Sequence, residues 1–115
     1  MATTSSIALQ DNDKVYQIYC HFDGYPEHNG EILKQFYDTK RKVKNLIKKG
    51  DMFSLDKKLS KCDTYDKKEK EPHPAIETTI FDFYTNYHDY EIRNYNYIFV
   101  DNHWFIKKEN KLYLI

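Results

Sequence analysis

The sequence predicts a single α+β domain, in which an antiparallel sheet carries about three helices on one face in the order ββααα-βββ. Three observations predict it. Apolar and polar residues alternate with period two near both ends of the chain, over 14–22 and again over 95–100. Between them, apolar residues recur at helical spacing over 30–47 and from 76 onward. A chain of 115 residues is long enough to bury one core and too short for two, so residues 1–115 form one domain.

Taken in order, Ile7-Ala8-Leu9 alternates weakly and Asp11-Asn12-Asp13 signals a turn before the strand over 14–22. Two short strands across a polar turn read as a β-hairpin. In the second strand Tyr16, Ile18, Cys20 and Phe22 share one face, and Val15, Gln17, Tyr19 and His21 share the other. On this parity Cys20 points into the core and His21 away from it. Asp23-Gly24-Tyr25-Pro26 then breaks the strand, since Pro26 cannot donate to a ladder. Asn29 fits the N-cap of a helix over about 30–38, whose stripe is Ile32, Leu33, Phe36 and Tyr37. Asp38 or Thr39 caps a second helix carrying Val43, Leu46 and Ile47, which Gly50 terminates.

Residues 51–59 fit either a turn or a short helical segment. The segment 60–74 is rich in Lys, Glu, Asp and Pro, and reads as a polar mobile loop that buries too little to offset its ordering. Pro74 can open a third helix along Ile76, Ile80, Phe83, Tyr84 and Tyr87, although Thr78-Thr79-Ile80-Phe81 favours a strand. The strands over 95–100, 104–107 and 111–115, separated by Asp101-Asn102-His103 and Glu109-Asn110, make a three-strand antiparallel meander.

Charge and cysteine content exclude several classes. Eighteen basic residues balance eighteen acidic ones, which argues against direct nucleic-acid binding by the whole molecule. No run approaches the ~18 apolar residues of a membrane span. The start of the chain lacks a secretory leader, so Cys20 and Cys62 are expected as reduced thiols in the cytoplasm.

Three clusters carry candidate chemistry. Residues 40–70 hold twelve basic against five acidic residues, a net of +7, with Lys40, Lys44 and Lys48 one turn apart on the second helix. That row is either a solvated face or a surface for phosphate backbones or an acidic protein patch. His21, Asp23, Tyr25, Glu27 and His28 crowd one short stretch and are candidate ligand-binding residues; His21, Asp23, Glu27 and His28 are alternatively the acid–base or metal set of a metal-dependent hydrolase. Their spacing matches no motif with a mechanism, so neither a catalytic residue, a metal nor a cofactor is assigned. From 81 to 105, ten of twenty-five residues are aromatic, so both faces of the strand over 95–100 are apolar. Either a further element covers the second face, or Tyr95, Tyr97 and Trp104 are exposed anchors for a partner, another copy of the chain included.

The string Ile18-Tyr19-Cys20-His21-Phe22-Asp23-Gly24-Tyr25, followed by Gly30, Leu33, Val43, Leu46-Ile47, Gly50-Asp51, Ser54-Leu55 and Trp104, resembles a family of small accessory proteins carried by phages and prophages. The resemblance covers residues 6–56 and resumes around 97–104. It carries over no catalytic residue. It implies a product acting inside a bacterial host cell, where such proteins antagonise defence by binding a nuclease, a sensor or a signalling nucleotide. The expectation is therefore a non-enzymatic inhibitor of a system such as CRISPR, acting by protein–protein contact. The alternative is a sequestering protein that grips a small ligand or nucleotide in the loop from His21 to Asn29.

Overall fold

Strands β1 (Ser5–Asp11) and β2 (Lys14–Cys20) form the expected hairpin, in register from Ser5 opposite Cys20 to Asp11 opposite Lys14. Asn12 makes the tight turn by adopting φ 56°, a conformation that Asn tolerates better than most side chains. The computed structural model describes residues 2–85 and 93–115, so the expected helical position of Tyr87 lies outside the described residues.

The remaining strands are β3 (Met52–Ser54), β4 (Asp63–Thr64), β5 (Ile76–Thr79), β6 (Tyr95–Val100), β7 (His103–Lys108) and β8 (Lys111–Leu114). Among the described residues they form one sheet in the order β4-β3-β2-β1-β6-β7-β8. Strand β5 lies off this path, along the first half of β2, where Gln17 faces Ile76. The C-terminal meander is as the sequence predicts.

The sheet is mixed rather than antiparallel. Strand β6 runs parallel to β1, from Ser5 opposite Tyr95 to Leu9 opposite Phe99, and β3 meets β2 in parallel at Cys20 and Met52. Parallel neighbours need a long crossover, which the segment between the hairpin and β6 supplies.

Four α-helices are described: α1 (Glu31–Phe36), α2 (Lys40–Ile47), α3 (Tyr65–Glu69) and α4 (Ile80–Thr85). The observed order is thus ββααββαβαβββ, and the helices do not share one face. Helices α1 and α2 set Ile32, Leu33, Val43, Leu46 and Ile47 against Ile7, Leu9, Ile18, Cys20, Tyr97 and Phe99. On the opposite face α4 drives Phe83 onto Ala8, Val15 and Ile98. Burying a side chain of that size contributes about 1.5–3 kcal/mol. The two apolar faces of β6 are therefore both used in packing.

Three local expectations change. The segment 76–85 splits, because Thr78 and Thr79 follow their β-propensity and pair with Val15 and Lys14 before the helical turn begins at Ile80. Residues 60–74 hold β4 and α3, anchored by the buried side chains of Cys62 and Thr64. Asn29 is no N-cap: a π-helical turn over Pro26–Gly30 already runs into α1, with Pro26 at its first position. Thr39 does cap α2, accepting from the Lys42 amide at 3.3 Å. Gly50 ends that stretch at φ 75°, where any β-carbon would collide with the His73 carbonyl oxygen.

Candidate functional site

The crowded stretch from His21 to Asn29 is anchored from below by the N-terminal segment and by Tyr97. The Gly24 amide donates to the Thr3 carbonyl at 2.9 Å, and the buried Tyr97 hydroxyl donates to the Gly24 carbonyl at 2.7 Å. A β-carbon on Gly24 would lie 2.6 Å from the Thr4 carbonyl oxygen, so the stretch is pressed against the N-terminal segment. Asn29 is fully buried. Its Nδ2 points at Ser5 Oγ (3.3 Å), Cys20 Sγ (3.4 Å) and the Phe22 carbonyl (3.4 Å), and its Oδ1 lies 2.9 Å from His28 Nδ1.

The five candidate ligand residues separate as a result. His21 turns to the second face of the sheet, where its Nδ1 lies 2.7 Å from the Tyr19 hydroxyl and its ring meets Phe22 and Phe53. His28 turns toward Asn29 and Tyr25, while Asp23, Tyr25 and Glu27 are exposed. Among the described residues no three His, Cys, Asp or Glu side chains gather as a metal site. These five side chains are therefore spread along the stretch and are not brought together in one pocket.

The aromatic anchors are likewise committed elsewhere. Tyr97 is fully buried and Trp104 is 4% exposed, with its Nε1–H donating to the Tyr37 carbonyl at 2.8 Å. Tyr95 is half-buried and stacks on Tyr97 at 6.4 Å. Tyr97 and Trp104 are core, because both faces of the meander are needed to pack the sheet.

A cavity of about 200 Å³ opens instead on the second face, bounded by Ser6, Gln17, Tyr19, Asp51, Ile76 and Arg93. Strand register explains it. Ser6 sits between Tyr19 on β2 and Asn96 on β6, so a small side chain lies between larger ones and leaves a trough. The Ser6 hydroxyl donates to Asn96 Oδ1 at 2.7 Å. Asp51, at the start of β3, accepts the Tyr19 amide on Oδ1 at 2.9 Å, and its Oδ2 lies 3.8 Å from His73 Nδ1. The Arg93 guanidinium lies over the Tyr19 ring at 4.4 Å. Burial pushes the Asp51 carboxyl above its ordinary range, against the opposing pull of the Tyr19 amide, His73 and Arg93. Gln17 is 9% exposed, and its Oε1 is the one buried side-chain polar atom among the described residues with no hydrogen-bond partner.

Around this cavity an aromatic border stabilises the elements that carry it. Tyr65 stacks on Phe53 at 3.9 Å with the rings 4° from parallel, and meets Tyr19 edge-on at 6.3 Å. The sequence offered little warning of this site. Gln17, Asp51 and Arg93 come from three separate stretches, and the available hint was a polar Gln in mid-strand between Val15-Tyr16 and Ile18-Tyr19.

A second concave feature lies on the first-face side. Between α2 and the hairpin a groove of about 310 Å³ has a floor of Leu9, Tyr16 and Ile47, with Lys44 and Lys48 at its border. Asp11 pairs with both Lys40 (2.6 Å) and Lys44 (3.4 Å), and these two ammonium groups hold its carboxyl below the usual range. One carboxylate is thus divided between two cations, and Lys48 is exposed.

No family model matches the chain, and no curated protein or solved structure proves significantly similar to it.

Proposed function

We propose that the chain is a non-enzymatic accessory protein that inhibits a bacterial defence system by binding one of its protein components, a nuclease or a sensor, in the host cytoplasm. The contact surface is the outer side of α2 with its groove, and not the aromatic strands. The observation that carries this reading is the groove itself: an apolar floor under Lys44 and Lys48, beside a Lys40 that shares its one carboxylate. An apolar centre inside a cationic border suits an acidic segment of a partner that inserts one hydrophobic side chain. The resemblance to phage-borne accessory proteins supplies the biological setting.

The test is co-expression with individual defence systems in a phage-sensitive host. The wild-type chain is expected to restore plating of a restricted phage by about tenfold or more, and Lys44→Glu/Lys48→Glu to lose that effect while remaining folded. Relief of no system, or full relief by the double variant, would refute the proposal. Light scattering at the same concentrations separates this from self-association, which would double the mass.

A further inference from the structure

We propose that the cavity on the second face of the sheet is a nucleobase-binding site, selective for a base that presents paired N–H donors on one edge, as guanine does. The site lies on the opposite face from α2, so this inference stands or falls independently of the protein-binding one.

The lining defines the ligand. Gln17 lines the cavity, its Oε1 is buried with no hydrogen-bond partner among the described residues, and a buried acceptor left unpaired is costly. Such a group invites a donor from outside the chain. Asp51 offers a second acceptor, because its Oδ1 is engaged by the Tyr19 amide while its Oδ2 stands 3.8 Å from His73 Nδ1. Arg93 supplies donors and, with Tyr19 beneath it, a flat cationic wall. Two acceptors, one donor fork and a flat wall describe the complement of a planar ring with donors and an acceptor on one edge.

Charge narrows the class further. Asp51 disfavours an anion and Arg93 disfavours a cation, so the buried part of the ligand is neutral. A cavity of about 200 Å³ holds a single base and leaves the sugar and any phosphate outside. Guanine has two adjacent N–H groups for Gln17 Oε1 and Asp51, and a carbonyl for Arg93. Inosine lacks the second N–H group. Uridine presents one N–H between two carbonyls, which face the acceptors badly.

Titration of the wild-type protein with guanosine, inosine and uridine, followed by calorimetry and ¹⁵N NMR, tests this. Guanosine is expected to bind and to shift the Gln17 side-chain amide. Inosine should bind about tenfold more weakly, and uridine more weakly still. Gln17→Leu should weaken guanosine by about tenfold or more while the melting temperature holds or rises, since an unpaired buried amide is replaced by an apolar group of similar size. A purely structural Gln17 would give the opposite, a lower melting temperature and unchanged titrations. The proposal is overturned if guanosine at millimolar concentration leaves the Gln17 amide unmoved, or if Gln17→Leu binds as the wild type does. Should Gln17→Leu fail to fold, the wild-type NMR titration decides alone.

Discussion

Asn29→Asp separates two roles for the same side chain. At a helix N-cap, Asp serves about as well as Asn, and the substitution would be nearly silent. In the observed position it cannot be. Asn29 Nδ2 faces the Phe22 carbonyl, Ser5 Oγ and Cys20 Sγ, and a carboxylate has no proton to give the carbonyl. The side chain is also fully buried, so the introduced charge is desolvated with only the His28 ring nitrogen, 2.9 Å from the present Oδ1, to stabilise it. Loss of the donor costs about 1–3 kcal/mol and the buried charge adds several kcal/mol, for a total of at least ~3 kcal/mol at neutral pH. A change of that size would consume a large part of a small domain's stability. The pH dependence follows from the same burial. The carboxyl's folded-state pKa rises above its unfolded value of about 3.9, so the folded variant holds its proton more tightly. The variant is therefore least destabilised below about pH 4 and loses stability as pH rises through the folded value. Urea unfolding read by fluorescence of the buried Trp104 at several pH values gives the numbers. A midpoint within about 0.5 kcal/mol of wild type at pH 7, or no dependence on pH, would refute the buried-bracket role.

Gly50→Ala should destabilise by more than about 1–2 kcal/mol, because left-handed backbone and the collision with the His73 carbonyl act together; thermal melting measures it. Tyr97→Phe removes the hydroxyl that donates to the Gly24 carbonyl and should cost about 1–3 kcal/mol in urea, with the opening stretch exchanging its amide hydrogens faster. Cys20 should resist alkylation at pH 8 until the protein unfolds, because burial removes access and pushes its thiol up to about 11. Burial raises the folded pKa of Asp51, so its contribution is most favourable at low pH and declines as pH rises; Asp51→Asn should therefore gain relative to wild type as pH rises above the unfolded carboxyl value of about 3.9, read from paired melts.

Much of the architecture was legible because period-two patterning is a local property. It placed Cys20 in the core, His21 outside, and opposed the two faces of 95–100 correctly. The parallel pairing of β1 with β6 was not legible, since a strand's sequence records its faces but not its neighbour or direction. Asn29 was misread because a residue suited to capping is equally suited to a buried polar bracket, and only the packing of Ser5, Cys20 and Phe22 decides. Tyr97 and Trp104 read as surplus until α4, whose Phe83 covers the second face, supplied a reason for both faces to be apolar. The cavity was invisible for a different cause. Its polar members are spread over β2, the start of β3 and the approach to β6, and register alone brings them together.

The place of β1 between its hairpin partner and β6 has a consequence for synthesis on the ribosome. Residues 5–20 emerge early and can pair with each other at once, yet β1's other edge stays unfilled until residues 95–99 have left the exit tunnel. Until then the nascent chain displays an open edge on the strand bearing Ile7 and Leu9, a template for pairing with other chains. Release of the last strands closes it. A premature stop before Tyr95 would thus yield a sticky product rather than a smaller folded one, and demand for chaperones should fall late, as β6 slots in.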